Sequence, residues 1–344
     1  MIAPNDALKR ILAREDLSRD ETEALFGQLM DGELSEAMKA ALLIGLVMKG
    51  EATSEIAGAA SAMRRRVVAI PHQIEAVVDT CGTGGDGKGT FNISTAAALV
   101  AAGAGVPIAK HGNRSVSSKS GSADVLAALG VGIETVPEAA GRALHEVGIA
   151  FLFAPRLHPA MKEVMPVRKA LGVRTLFNVL GPLTNPAGAR RQVMGVYSAD
   201  LVEPIARVQR ELGAVHAMVV HGSDGLDELT TTGPSRVAEV RSEPESGDFV
   251  RLYEVTPEEL GLDRAQPEDL AGGTPEENAQ ALARVLDGES GPLADVTALN
   301  AGAAIFVGGR AASLVEGVEY ARRALEDGSA RRTLDALRGF DAAH

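Results

Sequence analysis

Three things that this sequence of 344 residues lacks narrow the classes of protein it can encode. Its single cysteine, Cys81, cannot form an internal disulfide, and we interpret it as a small packing residue. It has 34 Lys and Arg against 46 Asp and Glu and no lysine-rich stripe, which argues against nucleic acid as a main partner. The longest strongly apolar stretch, residues 40–48, is too short to span a bilayer, and residues 1–10 lack an apolar secretory segment. We therefore expect a soluble cytoplasmic protein that binds neither nucleic acid nor membranes.

The apolar pattern divides the chain into two parts. Residues 1–70 predict helices only, with a capping box at Ser18 and Glu21. In residues 71–344, short apolar runs alternate with helical stretches, which is typical of an α/β domain with a mostly parallel sheet. Residues from about 156 to 176 interrupt this alternation, and we expect them to join the helical domain.

The predicted sheet has candidate strands at residues 75–80, 105–110, 149–153, 192–197 and 215–221. Two later segments do not fit the alternation. Residues 241–273 are rich in Glu, Pro, Asp and Gly and predict a surface excursion, and residues 303–307 form a strand-like run in a helical tail. Ligands of such sheets bind at the carboxyl ends of the strands, so the loops that follow the strands are the candidate site.

A glycine-rich loop follows the first predicted strand, where residues 79–95 read DTCGTGGDGKGTFNIST. It is not a P-loop, because Gly89 stands after Lys88 where a magnesium-binding hydroxyl is required. It is not a dinucleotide site, because the second strand ends in Lys110 and His111 rather than in an acid. Strand, glycine loop and helix start still form a cradle of N–H groups suited to phosphate. A tight turn without ligand is the alternative, although a turn needs fewer glycines.

A second polar loop follows the second predicted strand, where residues 110–130 read KHGNRSVSSKSGSADVLAALG. Its Lys, Arg and Ser side chains precede a helix start near Ser122, which is again a pattern that binds anions. A solvated polar loop is the alternative. Two such cradles on neighbouring strands indicate a ligand with two phosphate groups, or with a phosphate and a pyrophosphate.

An acidic loop follows a later strand and contains Asp224, Asp227 and Glu228. Adjacent carboxylates repel each other, and Mg²⁺ relieves this repulsion while also binding substrate phosphates. An acidic surface turn is the alternative. Elsewhere, Arg168 can clamp a carboxylate through its planar guanidinium, or it can form an ordinary surface salt bridge.

Taken together, these loops resemble the anthranilate phosphoribosyltransferase family. The shared stretches, in chain order, are GTGGD, FNIST, KHGNRSVSSKSGSAD, VRTLFNVLGPLTNP and DGLDELTTTGPS. The resemblance implies a fold like that of the pyrimidine nucleoside phosphorylases. It implies transfer of the phosphoribosyl group of phosphoribosyl pyrophosphate (PRPP) to the amine of anthranilate, with release of pyrophosphate, in the second step of tryptophan biosynthesis from chorismate. It also implies Mg²⁺, with two ions per subunit, and a homodimer formed through the helical domain.

The resemblance assigns site residues in three groups, with no dedicated catalytic acid or base. The PRPP contacts it implies are Gly82, Gly85, Asp86, Thr90, Asn92, Ile93, Ser94, Thr95, Lys110, His111, Gly112, Asn113, Arg114, Ser115, Val116, Ser117, Ser118 and Ser122. The anthranilate contacts it implies are Gly82, Asn113, Arg168, His111 and His158. The metal ligands it implies are Ser94, Asp227 and Glu228.

Two other functions remain open from the sequence. A pyrimidine nucleoside phosphorylase shares the fold, but it would use free phosphate and would not need Asp227 and Glu228 for a metal. A relative that has lost its site and binds nucleic acid would need an eroded glycine loop and a basic face. The intact loop and the net charge of −12 argue against it.

Overall fold

The computed structural model describes residues 2–115, 119–243 and 247–340. The N-terminal part is helical, as the periodicity predicts, and its second helix begins at the predicted capping box. The Ser18 hydroxyl accepts the N–H of Glu21, and the Glu21 carboxylate accepts the N–H of Ser18. The first four helices are α1 Pro4–Leu12, α2 Arg19–Met30, α3 Glu36–Lys49 and α4 Thr53–Arg64.

The larger part is built on one sheet. Its strands are β1 Val78–Asp79, β2 Ile108–Gly112, β3 Ile149–Phe153, β4 Arg191–Gly195, β5 His216–Gly222, β6 Ser235–Glu243 and β7 Gly247–Val255. Their order is β3-β2-β1-β4-β5-β6-β7. Strands β1 to β5 are parallel, and β6 and β7 add two antiparallel strands at one edge. The predicted small helical domain beside a larger α/β domain with a mostly parallel sheet is confirmed.

Helices cover both faces of this sheet. The further helices are α5 Ile93–Gly103, α6 Ser122–Ala128, α7 Pro137–Glu146, α8 Ala154–Leu157, α9 Met165–Leu171, α10 Phe177–Leu180, α11 Val202–Glu211, α12 Pro275–Leu286, α13 Pro292–Val307, α14 Leu314–Glu326 and α15 Ser329–Gly339. Side chains alternate between the faces of β5. Met218 and Val220 pack in the core that contains α5 and α13, whereas Ala217 and Val219 pack in the core that contains α11 and the helical domain.

The strand predicted at residues 303–307 is wrong, because these residues form the last turns of α13. Every side chain from Val296 to Val307 is buried, so the helix is apolar on all sides and shows no amphipathic period. A short apolar run of this kind cannot be assigned to strand or helix from its pattern alone. No helix in the described ranges combines the length and the apolar character that crossing a membrane requires.

The surface excursion predicted at residues 241–273 is also wrong in its first half. Strands β6 and β7 pair along their whole length, so residues 247–255 form the edge strand of the sheet, with Val255 buried and Leu252 exposed. Alternating polar residues on the outer face of an antiparallel edge hide the apolar inner face from a composition count. The second half contains short 3-10 helices at Glu258–Leu260 and Pro267–Leu270.

The segment after β3 returns to the helical domain. It contains α8, a 3-10 helix at Pro159–Glu163 and α9. Lys39 on α3 donates to the carbonyl of Glu163 at 2.7 Å. Val164 and Val167 are buried in the same core as the apolar face of α3. This packing places Arg168, which lies on α9, at the boundary between the helical domain and the sheet.

Candidate active site

The carboxyl ends of the parallel strands lie at one edge of the sheet, and the loops with the predicted chemistry follow them. The glycine loop leaves β1 after Asp79 and enters α5 at Ile93. Gly84 and Gly85 adopt φ angles of +64° and +76°, which side-chain-bearing residues rarely adopt. A Cβ at Gly84 would have no atom within 4 Å. The loop therefore needs glycine for its backbone conformation, and space above it is open to a ligand.

The glycine loop and the acidic loop contact each other directly. Gly84 donates its N–H to Asp227 Oδ2 at 2.6 Å, and Thr83 donates its N–H to the carbonyl of Gly195 at 2.9 Å. A Cβ at Gly82 would lie 2.8 Å from Asp227 Oδ2, so this position must be glycine for the two loops to approach so closely. The fold thus brings together loops that are 143 residues apart in the chain.

A buried lysine and a serine lie next to the acidic pair. Lys110 is buried in the middle of β2, and its Nζ donates to Ser94 Oγ at 3.2 Å. The Ser94 hydroxyl lies near Glu228 and lowers the pKa of its carboxyl. Burial, and then the neighbouring Asp86, raise the pKa of Asp227 above its usual range. Burial and the charge of Asp227 raise the pKa of Glu228 in the same direction, and Lys110 only partly offsets this. The acidic pair is therefore short of positive charge.

These residues fit a magnesium ion in chemical terms. Asp227, Glu228 and Ser94 offer only oxygen ligands, which Mg²⁺ prefers, and few enough of them to leave positions for water and phosphate. A divalent cation between the carboxylates would also relieve the repulsion that raises both pKa values.

Another group of metal-binding residue types lies nearby, within the part of the chain that the structure describes. One ligand atom each from Asp79, Cys81 and His111 lie within 4.8 Å of one another. The Asp79 oxygens already accept hydrogen bonds from Asn185 Nδ2 at 2.8 Å and from the N–H of His111 at 3.1 Å. Burial raises the pKa of the Cys81 thiol, so it stays protonated. A thiol and an imidazole are poor ligands for Mg²⁺, which distinguishes this group from the acidic pair.

The second polar loop is held closed by Asp124, a residue that sequence reasoning did not single out. Its Oδ2 accepts the N–H groups of Ser115 and Gly121, each at 3.0 Å, and its Oδ1 accepts Arg114 Nη1 at 3.0 Å. Burial raises the pKa of Asp124, but these hydrogen bonds lower it more. Arg114 is thus oriented by an ion pair, and Ser122 Oγ donates to the carbonyl of Asn113 at 3.2 Å.

Two buried histidines form a pair at the end of β2. His111 Nε2 and His158 Nε2 are 3.1 Å apart, and the ring centroids are 4.9 Å apart. Burial lowers the pKa of His111 to about 3 and that of His158 to about 4, so both rings are neutral at pH 7. Nδ1 of His158 is buried and has no hydrogen-bond partner among the described residues. Burial also lowers the pKa of Arg168, whose guanidinium lies 5.7 Å from the centre of the Phe177 ring.

The remaining predicted contacts surround the start of α5 and the end of β2. The side chains of Ile93 and Thr95 are buried, and Thr95 Oγ1 has no hydrogen-bond partner among the described residues. Asp86 Oδ1 accepts the N–H of Lys88, and Thr90 forms an isolated bridge with Ala271. A Cβ at Gly112 would lie 2.3 Å from Ser122 Oγ. The predicted contacts Val116, Ser117 and Ser118 lie outside the described residues.

Sequence reasoning missed residues that support the site from a distance. The Asn185 amide donates to Asp79 and to the carbonyl of Ala109. Arg174 donates to the carbonyl of Gly85 at 2.6 Å and lies 4.2 Å from the centre of the Tyr197 ring. Asn185 and Arg174 both lie in the shared stretch VRTLFNVLGPLTNP, and this was the only sequence signal for either residue.

Comparisons with known proteins agree with this geometry. The model of the glycosyl transferase family a/b domain matches residues 74–331, and the helical bundle domain of the same family matches residues 5–67. An anthranilate phosphoribosyltransferase of Symbiobacterium thermophilum is 52% identical over 333 residues, covering 97% of this chain and 96% of the relative.

Solved structures give the same result. The anthranilate phosphoribosyltransferase of Thermus thermophilus superposes with a TM-score of 0.91 at 49% identity, covering 97% of this chain and 99% of its own. The Saccharomyces cerevisiae enzyme, solved in complex with PRPP and Mg, superposes with a TM-score of 0.87 at 27% identity, covering 98% and 97%. With matches of this identity and extent to both domains, the chain belongs to the anthranilate phosphoribosyltransferase family.

Proposed function

We propose that this chain transfers the phosphoribosyl group of PRPP to the amine of anthranilate, giving N-(5-phosphoribosyl)anthranilate and pyrophosphate, in tryptophan biosynthesis. One observation carries the proposal. Lys110, Ser94 and the Asp227–Glu228 pair lie beside a glycine loop whose Gly84 N–H donates to Asp227. An anion cradle beside uncompensated carboxylates makes electrostatic sense when the ligand is a metal-bound pyrophosphate.

The phosphates of PRPP would bind both polar loops. The glycine loop contributes N–H groups around Gly82, Gly85 and Asp86 and the start of α5 at Ser94, and this is the expected place for pyrophosphate. The second loop contributes Arg114 and Ser115, together with Ser122 at the start of α6, and we assign it to the sugar phosphate.

Ser94, Asp227 and Glu228 would hold magnesium. When bound, the metal supplies positive charge that neutralises the departing pyrophosphate. We propose two ions per subunit, because the carboxylates of Asp227 and Glu228, together with Asp86, carry more negative charge than Lys110 can offset. In this structure the Gly84 N–H donates to the Asp227 carboxylate. If a metal ion binds that carboxylate instead, the Gly84 N–H becomes free to donate to a phosphate oxygen.

Anthranilate would lie between Arg168 and the histidine pair. The Arg168 guanidinium can make two parallel hydrogen bonds to the carboxylate of anthranilate. The partnerless Nδ1 of buried His158 supports a polar ligand atom beside it. We also assign Asn113 and Gly82 to the anthranilate contacts, because they follow β2 and β1 at the same edge of the sheet.

The residues around the reacting carbon act by charge and orientation. As pyrophosphate leaves carbon 1 of the ribose, negative charge grows on it, and Lys110 and the N–H groups of the glycine loop stabilise that charge. The amine of anthranilate is an aromatic amine of low basicity, so it is uncharged at neutral pH and can attack without prior deprotonation. The low pKa values of His111 and His158 make both rings neutral packing partners at pH 7, and we assign neither as a general base.

We further propose a cytoplasmic homodimer that forms through the helical domain. Leu12 at the end of α1 and Met48 near the end of α3 are 70% and 71% exposed. Val47 lies beside Met48 and is also exposed. A second copy that packs on α1 and α3 would cover these apolar side chains. Sedimentation at micromolar concentration should give twice the mass of the chain, whereas a Leu12→Glu, Met48→Glu variant should sediment as a monomer.

One assay tests the activity directly. Anthranilate fluorescence should fall when PRPP and Mg²⁺ are added with the protein, and it should not fall when any one of the three is omitted. Thymidine with phosphate should yield no thymine, because the chain has a metal-binding acidic pair that a phosphorylase would not need. Stable fluorescence in the complete mixture, with thymine released in the second assay, would replace this proposal by the phosphorylase.

A further inference from the structure

Asn278 connects the C-terminal part of the chain to the PRPP site. It lies on α12 and is 3% exposed, in a region to which neither the sequence motifs nor the resemblance assigns a role. Its Oδ1 accepts the N–H of Gly273 at 2.7 Å, and its Nδ2 donates to Asn92 Oδ1 at 2.8 Å. A buried side chain 186 residues away in sequence therefore touches a residue at the start of α5.

The backbone before Asn278 also packs against the end of the glycine loop. Phe91 donates its N–H to the carbonyl of Leu270, and Gly272 donates its N–H to the carbonyl of Gly89, both at 2.9 Å. A Cβ at Gly272 would lie 2.3 Å from the carbonyl oxygen of Thr90, so only glycine allows this approach. We call residues 270–278 the brace, because they hold residues 89–92 by backbone and side-chain hydrogen bonds.

The brace and Ser120 together determine which way the Asn92 amide points. Asn92 Oδ1 accepts hydrogen bonds from Asn278 Nδ2 and from Ser120 Oγ at 3.2 Å, which occupies both of its lone pairs. Asn92 Nδ2 donates one hydrogen to the carbonyl of Ser120 at 3.2 Å. Its second hydrogen has no acceptor among the described residues and is left for a ligand. Since phosphate oxygens only accept hydrogen bonds, the amide must present its N–H to them, and a flipped amide would present an oxygen instead.

We propose that Asn278 is a positioning residue for PRPP. It fixes the Asn92 amide with its N–H toward the phosphate, and the brace fixes the end of the glycine loop. This proposal rests on the proposed function, because it names PRPP as the ligand.

The test is the Asn278→Asp variant, which keeps the size of the side chain and the acceptor for the Gly273 N–H. Its second carboxylate oxygen replaces the donor to Asn92 Oδ1, so two acceptors face each other and the Asn92 amide should lose the orientation that Asn278 and the Ser120 carbonyl jointly hold. Calorimetric titration with PRPP and Mg²⁺ should show Kd raised about tenfold or more, the cost of losing one hydrogen bond to a charged group. The KM for PRPP should rise with it, whereas kcat at saturating PRPP and the KM for anthranilate should stay within about twofold. A merely structural role would lower the melting temperature and leave both KM values unchanged.

Two controls separate the positioning role from charge and from general damage. Gln280→Glu adds the same charge to an exposed position of α12 and should leave the affinity for PRPP unchanged. In an Asn92→Ala background, Asn278→Asp should have no further effect, because it acts through the amide that is missing. If Asn278→Asp does not fold, the neutral Asn278→Ala should show a smaller rise in Kd in the same direction, and that rise should also vanish without the Asn92 amide.

The outcomes that overturn the proposal are distinct. Equal affinity of the unmodified chain and a folded Asn278 variant for PRPP overturns the brace alone. A loss that persists in the Asn92→Ala background shows that Asn278 does not act through Asn92 and also overturns it. An unmodified chain that binds no PRPP and forms no product overturns the proposed function, and the role of the brace with it.

Discussion

Two acidic clusters, Glu239 and the Asp227–Glu228 pair, lie near opposite ends of β5. The pKa of Glu239 is lowered, whereas the pKa values of Asp227 and Glu228 are raised. Glu239 lies on β6 and is 4% exposed. Its carboxylate accepts hydrogen bonds from His216 Nε2 at 2.9 Å, Arg241 Nε at 2.6 Å and Tyr253 Oη at 3.1 Å. Burial alone would raise the pKa of Glu239. The hydrogen bonds from His216 and Arg241 have the larger combined effect and lower this pKa to about 2.

The cluster after the other end of β5 lacks such compensation. Asp227 accepts only backbone N–H groups, from Gly84 and from its own residue, Ser94 only partly offsets the burial of Glu228, and burial raises the pKa of both. A buried carboxylate that the protein neutralises itself stabilises the fold only as part of its ion pair. A carboxylate pair left short of positive charge costs stability and makes sense when a ligand brings the charge. The comparison therefore separates a cluster that the protein neutralises itself from one that we propose serves a ligand.

Removing the uncompensated charges should have the largest effect on activity. The double substitution Asp227→Asn with Glu228→Gln should lower kcat/KM on the order of 10³-fold, because the site loses the charge that holds the metal against the leaving pyrophosphate. The magnesium dependence of the remaining activity should shift to higher concentration. Thermal unfolding without Mg²⁺ should occur at the same or a higher temperature than in the unmodified chain, because like-charge repulsion is gone. A magnesium titration that overlays that of the unmodified chain in midpoint and plateau would return both residues to an acidic surface turn.

Removing the charge of Glu239, which the protein neutralises itself, should lower the stability of the fold and leave the activity unchanged. Glu239→Gln should lower the free energy of unfolding by about 1.5–3 kcal/mol, because a neutral amide replaces the buried carboxylate that accepts hydrogen bonds from His216, Arg241 and Tyr253. Michaelis constants should stay unchanged.

The pH dependence of Glu239 has a definite sign. Since its folded pKa lies below the ordinary value of 4.5, the stability it contributes is present above pH 4.5 and is lost as the pH falls toward about 2. The difference in urea unfolding between the unmodified chain and Glu239→Gln should shrink over that interval. A difference that stays constant between pH 4.5 and 2.5 would contradict the ion-pair origin.

Substitution of Arg168, on α9 beside the helical domain, tests whether its guanidinium binds anthranilate. Arg168→Ala should weaken the use of anthranilate by about 1.5–3 kcal/mol, the worth of hydrogen bonds to a charged group. The KM for PRPP should barely change. The exposed neighbour Lys169→Ala provides the control on the same helix and should change neither constant. Damage confined to PRPP binding would show that Arg168 belongs to the phosphate loops.

Gly85 tests the loop that faces the acidic pair. Gly85→Val places a β-branched residue at a φ of +76°, a strain of about 1–3 kcal/mol that should tilt the loop and raise the KM for PRPP about tenfold. The control is Gly148→Val, at a φ of +83° with no atom within 4 Å of its Cβ, on the far side of the sheet before β3. That variant should lose similar stability and keep its kinetics. Equal KM values for both folded variants would rule out the phosphate cradle.

The sequence predicted those parts of the site that are local in the chain. The glycine loop and the Asp227–Glu228 pair each follow a strand, Lys110 lies within β2, and the rule that parallel strands end at one edge brings them together. Asp124 and Asn278 were missed because their partners are set by tertiary packing, and an Asp or Asn in a helix carries no local signal. The tail was misread at residues 303–307 because a fully buried helix has no polar face to reveal its period.

The site of the metal is the most direct test of the contrast between the two clusters. Crystals grown with PRPP and Mn²⁺ in place of Mg²⁺ can be measured above and below the manganese absorption edge. The anomalous difference map should show density bound by Asp227, Glu228 and Ser94, and none at Glu239. Density between Asp79, Cys81 and His111 instead, or none beside the acidic pair in a crystal with PRPP bound, would contradict the claim that the uncompensated carboxylates are held for a metal.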